Sequence, residues 1–131
     1  MPFQDSTQID VSTVWVVSSD SEARRLIGLN LMKRGFNIVE ASLEDGLPAS
    51  NAPPRLVIVD VSLTSASGQE VVDSLRRIPG VEGVPLVLLL STAPTAGQLA
   101  AFQPARWLEK PLDMDSLLTL VRECMASQQA E

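Results

Sequence analysis

Leu56-Val57-Ile58-Val59-Asp60 is a run of four apolar residues that stops on an acid. Three of the four are β-branched, and no polar residue alternates with them. Such a run reads as a short strand buried on both faces. A polar loop follows over Val61 to Ser67, and Gly68 to Ile78 then reads as a helix with Val71, Val72, Leu75 and Ile78 turned inward. Pro79-Gly80 and Gly83 punctuate the next connection.

The same unit recurs on both sides. Val14-Trp15-Val16-Val17 is a strand that stops at Ser18-Ser19-Asp20-Ser21, a set of capping and turn residues. A helix follows, with Ala23, Ile27 and Leu31 on its inner face, Leu26 and Met32 flanking it, and Gly35 at its end. Phe36 to Ala41 is a second strand, and Ser42 to Pro54 holds at most one short helix. Pro85 to Leu90 is the fourth strand, ending at Ser91-Thr92. Thr95 to Phe102 is a short helix, and Arg106 to Glu109 a fifth strand. The last helix runs from Asp113 to Met125, with Leu117, Leu120, Val121 and Cys124 as its apolar stripe. Strands that alternate with helices and read as continuous apolar runs predict an α/β fold, a five-stranded parallel sheet doubly wound by helices on both faces. Residues 1–12 read as a flexible N-terminal arm, 13–126 as the domain and 127–131 as a C-terminal tail.

Composition narrows the chemistry. The chain has 131 residues, one domain's worth. Its formal charge of −6 argues against a nucleic-acid binder, which needs clustered Lys and Arg. The longest apolar run, Leu86 to Leu90, is far too short to span a bilayer, and the first residues lack a secretory signal. There is no histidine, which removes Ser-His-Asp and Cys-His catalysis and most zinc sites. The single cysteine, Cys124, permits no internal disulfide, in keeping with a reducing cytoplasm.

In an open parallel sheet, ligand chemistry gathers at the carboxyl ends of the strands. Those positions are Ser18, Ser19 and Asp20, then Asp60, then Ser91 and Thr92, then Lys110. Asp60 and Lys110 are expected to end neighbouring strands, within salt-bridge reach. A carboxylate that attacks, a lysine that neutralises and a hydroxyl that hydrogen-bonds form a minimal set for accepting a phosphoryl group. A set of carboxylates to hold a divalent cation is missing.

Four segments resemble the receiver domain of bacterial two-component response regulators, over about Val14 to Cys124. They are Val16-Val17-Ser18-Ser19-Asp20, Val57 to Gly68, Ser91-Thr92-Ala93, and Trp107-Leu108-Glu109-Lys110-Pro111-Leu112. The resemblance implies a flavodoxin-like, receiver-type order of strands and helices. It places Asp60 at the phosphoacceptor position and Lys110 at the site lysine. It makes Ser91 or Thr92 the switch hydroxyl, Trp107 the switch aromatic and Pro111 a proline after a cis bond. Ser62 would lend its backbone carbonyl to the metal. Ser18 and Ser19 stand where the family has an acidic pair, and Asp20 falls at the next position. The metal site, Ser18, Ser19, Asp20 and Ser62, is therefore degenerate. Weak Mg²⁺ binding at best is expected, and no other cofactor.

The expected function is an atypical receiver-like signalling module, not an enzyme, that binds a signalling protein or histidine kinase and takes up phosphoryl groups weakly or not at all. The chain ends soon after the last helix, so its output is expected from a surface. The family's docking face, made by the fourth helix, fifth strand and fifth helix, would here expose Leu99, Phe102 and Trp107, and could support a homodimer. Two rival readings are a working phosphoacceptor, with Asp20 or water completing the metal site, and a small flavin-binding protein with Ser18, Ser19 and Ser21 around the flavin phosphate. The chain has no tyrosine and only two tryptophans to sandwich a flavin.

Overall fold

The computed structural model describes residues 12–42 and 53–129. The expected arm at 1–12 lies outside them except for Ser12, as do residues 43–52 of the weak segment before the third strand. Among the described residues the order is β1 (Thr13–Ser18), α1 (Ser21–Met32), β2 (Asn37–Ala41), β3 (Leu56–Asp60), α2 (Ala66–Arg77), β4 (Leu86–Leu90), α3 (Ala96–Ala101), β5 (Ala105–Glu109) and α4 (Met114–Gln129). The fourth and fifth helices of the sequence reading are thus α3 and α4. The strands form one sheet in the order β2-β1-β3-β4-β5. Every neighbouring pair is parallel. That is the doubly wound α/β architecture expected from the apolar runs.

Both faces of the sheet are buried, which explains why its strands do not alternate. On one face, Val14, Val16, Leu56, Ile58, Val87 and Leu89 meet Ile27 and Leu31 of α1 and Leu117, Leu120, Val121 and Cys124 of α4. On the other, Trp15, Val17, Val57, Val59, Leu86, Leu88 and Leu90 meet Val72 and Leu75 of α2 and Phe102. Each fully buried aliphatic side chain contributes about 1.5–3 kcal/mol. A charge at Ile58, which is 0 % exposed, would therefore break the central strand's packing.

Capping residues set the helix ends. Asp20 caps α1, accepting from the backbone N–H groups of Glu22 and Ala23. Ser65 caps α2, which consequently starts two residues before the glycine where periodicity began it. Thr95 and Gln98 form a full capping box on the six-residue α3. Gly35, after α1, has φ +93°, a conformation that suits glycine. The last helix, expected to end at Met125, continues to Gln129, with no Gly or Pro to stop it, into the stretch read as a tail at 127–131.

Three local expectations change. Leu26 and Met32 are 56 % and 52 % exposed, so they do not flank a buried stripe; the inward residues of α1 are Ile27, Gly28 and Leu31. Phe102 is 4 % exposed and belongs to the core, not to a docking face, because the chain turns inward at the end of α3. Leu99 and Trp107 are half-buried against that same core.

Arg76 ties this region together. Its Nη1 donates to the carbonyls of Val81, Glu82 and Val84, and its Nη2 to those of Phe102 and Pro104. Burial pushes its guanidinium below the usual arginine value. The carbonyls it satisfies belong to the α2–β4 and α3–β5 loops, so one side chain fixes both.

Candidate phosphoacceptor site

The site forms at the carboxyl edge of the sheet, as the topology requires. Sheet register sets Ser18 directly beside Asp60. Asp60 Oδ1 forms an ion pair with Lys110 Nζ, although the strands they follow, β3 and β5, are not neighbours as expected but flank β4. Asp60 Oδ2 accepts from Ser18 Oγ at 3.0 Å. Both carboxylate oxygens are thus engaged, with the Asp60 side chain 13 % exposed. Lys110 is positioned by its own backbone, whose N–H donates to Leu90 O at 2.8 Å.

Ser18 is the one polar residue among the described residues that is fully buried, at 1 % exposure. Its surroundings account for that. Its Oγ accepts from Asp20 N at 3.0 Å while donating to Asp60. Its carbonyl accepts from Arg24 Nη1 at 2.7 Å. Arg24 Nε in turn pairs with Glu40 Oε1 at 3.2 Å. A buried hydroxyl with all its groups bonded costs little.

An open cleft of about 570 Å³ lies over the pair. Ser19, Ser62, Thr64, Ser65, Ser67, Ser91 and Thr92 give it a hydroxyl lining, and Asp20 reaches its wall. Asp20 Oδ1 is occupied in capping α1, at 3.1 Å from two backbone N–H groups. Ser91 and Thr92 stand past the end of β4, exposed, and no hydrogen bond joins either to Asp60. The last residue of β4, Leu90, presents an apolar side chain at that wall instead. Trp107 is half-buried against the core. The Lys110–Pro111 peptide is cis.

The loop after β3 is held from two sides. Gln69 Nε2 and Gln98 Nε2 both donate to Leu63 O at 3.1 Å. Gln98 therefore joins the loop of Asp60 to the start of α3. Ser62 O accepts from Ser65 Oγ at 3.3 Å and lies so close to Gly68 that a Cβ there would stand 1.7 Å away. Only glycine fits that approach. The Gln98 bridge and the Arg76 anchor escaped the sequence reading. The spacing Thr95-x-x-Gln98 is a capping signature and was legible as one; nothing local marks either residue's long-range partner.

Among the described residues, no three His, Cys, Asp or Glu side chains stand together to hold a metal. Mg²⁺ takes oxygen ligands near an octahedron, and the oxygens at this rim have other partners. Asp60 is the carboxylate at the centre, and both its oxygens already have partners. Asp20 serves a helix end, and Ser62 O is turned to Gly68 and Ser65. No aromatic side chain lines the cleft, so nothing there favours a flavin.

No family model matches the chain. Solved structures do. The response regulator receiver domain protein of Methanospirillum hungatei superposes with a TM-score of 0.73 at 18% identity, covering 92% of this chain and 98% of that one. The chemotaxis response regulator CheY4 of Vibrio cholerae gives a TM-score of 0.70 at 20% identity, over 87% and 98% of the two chains. The chain has the response-regulator receiver fold. Among proteins similar in sequence, the transcriptional regulatory protein KdpE of Mycobacterium tuberculosis is 28% identical over 116 residues, 86% of this chain. The receiver-type chain spans 50% of KdpE's length. Response regulator Rre1 of Synechocystis is 32% identical over 79 residues, which cover 59% of this chain and 34% of that protein. No helix among the described residues is long and apolar enough to cross a membrane.

Proposed function

We propose that this receiver-type chain is a signalling module of a two-component system that acts by binding other proteins in the cytoplasm, and that Asp60 is at best weakly phosphorylated. The observation that carries this reading is the engagement of Asp60. Lys110 takes one carboxylate oxygen and the Ser18 hydroxyl the other. The pair is neutral without a cation, and Asp20, the other acid lining the cleft, is engaged in capping α1. Lys110 serves as the site lysine and Asp60 as the phosphoacceptor position. Ser91 or Thr92 would supply the hydroxyl and Trp107 the aromatic of a residual switch. Pro111 shapes the loop after Lys110.

Removing two carboxylates from a partly buried site lowers Mg²⁺ affinity by roughly 1–4 kcal/mol per charge at an effective dielectric near 20. Partners are a signalling protein or a histidine kinase, with the face of α3, β5 and α4 available to either or to a second copy. Burial of Phe102 leaves less apolar surface there than the sequence promised. The test is intact mass after incubation with Mg²⁺ and acetyl phosphate. Little or no phosphoryl adduct is expected. A stoichiometric adduct on Asp60 overturns the reading in favour of a working phosphoacceptor.

A further inference from the structure

The exposed large apolar side chains among the described residues are Leu26, Leu29 and Met32, at 56 %, 42 % and 52 %. All three belong to α1. Scattered apolar residues on a surface need no explanation, but three on one helix face form a stripe. Sequence spacing sharpens it. Glu22, Leu26, Leu29 and Lys33 follow one another at intervals of four, three and four. At 3.6 residues per turn they line up along one side of the helix. Each of the four is exposed. The stripe opposes the buried side of α1, where Ile27 and Leu31 meet the sheet.

The order along this line is acid, leucine, leucine, base. Read from the other end it becomes base, leucine, leucine, acid. Two such helices laid antiparallel set Glu22 against Lys33 of the second copy and Leu26 against its Leu29, each contact occurring twice. A surface that matches itself under a two-fold axis is what an isologous dimer requires. Among the described residues, Arg24 pairs with Glu40, while no hydrogen bond or ion pair engages the side chain of Glu22 or Lys33. Arg34 adds positive charge at the Lys33 end, where its Nη1 donates to Asn30 O. Leu26 and Leu29 also line an open cleft between α1 and Glu40 of β2, which gives a partner's side chains somewhere to seat.

We propose that the outer face of α1 is a homodimer surface, on which a second copy of this chain docks antiparallel through Glu22, Leu26, Leu29 and Lys33. The patch is small, so the dimer is reversible and concentration-dependent. This surface is separate from the Asp60 cleft and from the α3, β5 and α4 face, and it does not depend on whether Asp60 is phosphorylated.

Sedimentation of the full chain over a dilution series tests it. The expected mass rises from the monomer's 14.1 kDa toward twice that value with concentration. Leu26→Ser with Leu29→Ser abolishes the rise; both positions are solvent-facing, so the fold is retained and a thermal melt verifies it. Glu22→Lys alone, or Lys33→Glu alone, weakens association about tenfold or more, since like charges then face one another. The double variant Glu22→Lys, Lys33→Glu restores association, an outcome that helix destabilisation cannot imitate. A wild-type chain that stays at 14.1 kDa throughout overturns the proposal. So does a dimer that survives the leucine substitutions, or one that the charge exchange fails to restore.

Discussion

The Ser18 hydroxyl donates to Asp60 Oδ2 at 3.0 Å, across a register in which the two residues are direct neighbours on parallel strands. A residue that the resemblance would make an acid, and so a source of repulsion needing a cation, is instead a hydrogen-bond donor. Asp60 and Lys110 satisfy each other there, while Asp20, the other acid lining the cleft, caps α1.

Adding an acid should create the cation site. Ser19→Asp places a carboxylate in the cleft over Asp60, at a position where no helix cap already claims it. At roughly 1–4 kcal/mol per added charge, Mg²⁺ affinity rises by about tenfold or more. A Mg²⁺ titration followed by calorimetry measures it. An unchanged affinity would mean that something other than missing charge disables the site.

Removing Lys110 should cost stability. Lys110→Met leaves the 13 %-exposed Asp60 side chain with Ser18 alone. The loss lies between that of an exposed pair and that of a fully buried one, about 1–3 kcal/mol in urea unfolding. Asp60→Asn combined with Lys110→Met costs less than the two single changes added together, because each single change strands the other's partner.

Gly68 is sterically fixed. A methyl group there would meet the Ser62 carbonyl at 1.7 Å, and that atom is backbone, which cannot rotate away. Gly68→Ala therefore displaces the loop after β3 and lowers stability by about 1–3 kcal/mol or more. Increased hydrogen exchange at residues 62–68 would locate the damage; an unaltered melting curve would contradict it.

Cys124 should be a poor nucleophile. Burial pushes its thiol up from the ordinary value, with the opposing Arg106 charge and the reinforcing Glu123 charge as smaller causes. Alkylation at neutral pH is expected to be much slower in the folded chain than in urea. A thiol raised in the folded state contributes stability that is full below the unfolded value of about 8.5 and is lost as pH climbs toward the folded one. Unfolding free energy measured from pH 7 upward should hold and then fall above about pH 8.5. A Cys124→Ala variant should lack that part of the decline.

The expected strands and helices emerged from local chemistry, with most ends corrected by a residue or two and the last helix extended by four. Val14 to Val17 and Leu56 to Val59 are apolar at every position because both faces of the sheet are covered, and that pattern survives in one dimension. Ser65 moved the start of α2 because a cap acts through a single hydroxyl, a weaker signal than periodicity. Asp60 was legible because it terminates an apolar run and Lys110 because it follows a short strand, and parallel topology sends such ends to one edge.

Other features needed three dimensions. Which oxygen of Asp60 meets Ser18 depends on strand register, set by the packing of whole helices. The reach of Arg76 to carbonyls up to 28 residues away, and of Gln98 to Leu63, follows from loops folding beside them. Leu26 and Met32 look like core residues in sequence; only the rotation of α1 against the sheet turned them to solvent. Sequence alone determined the sheet, its order of elements and the charges at its edge, since these arise from side-chain polarity repeated along the chain. Tertiary structure decided which of those charges were already satisfied and which apolar groups were left bare, since contacts between distant segments depend on geometry that no local pattern encodes.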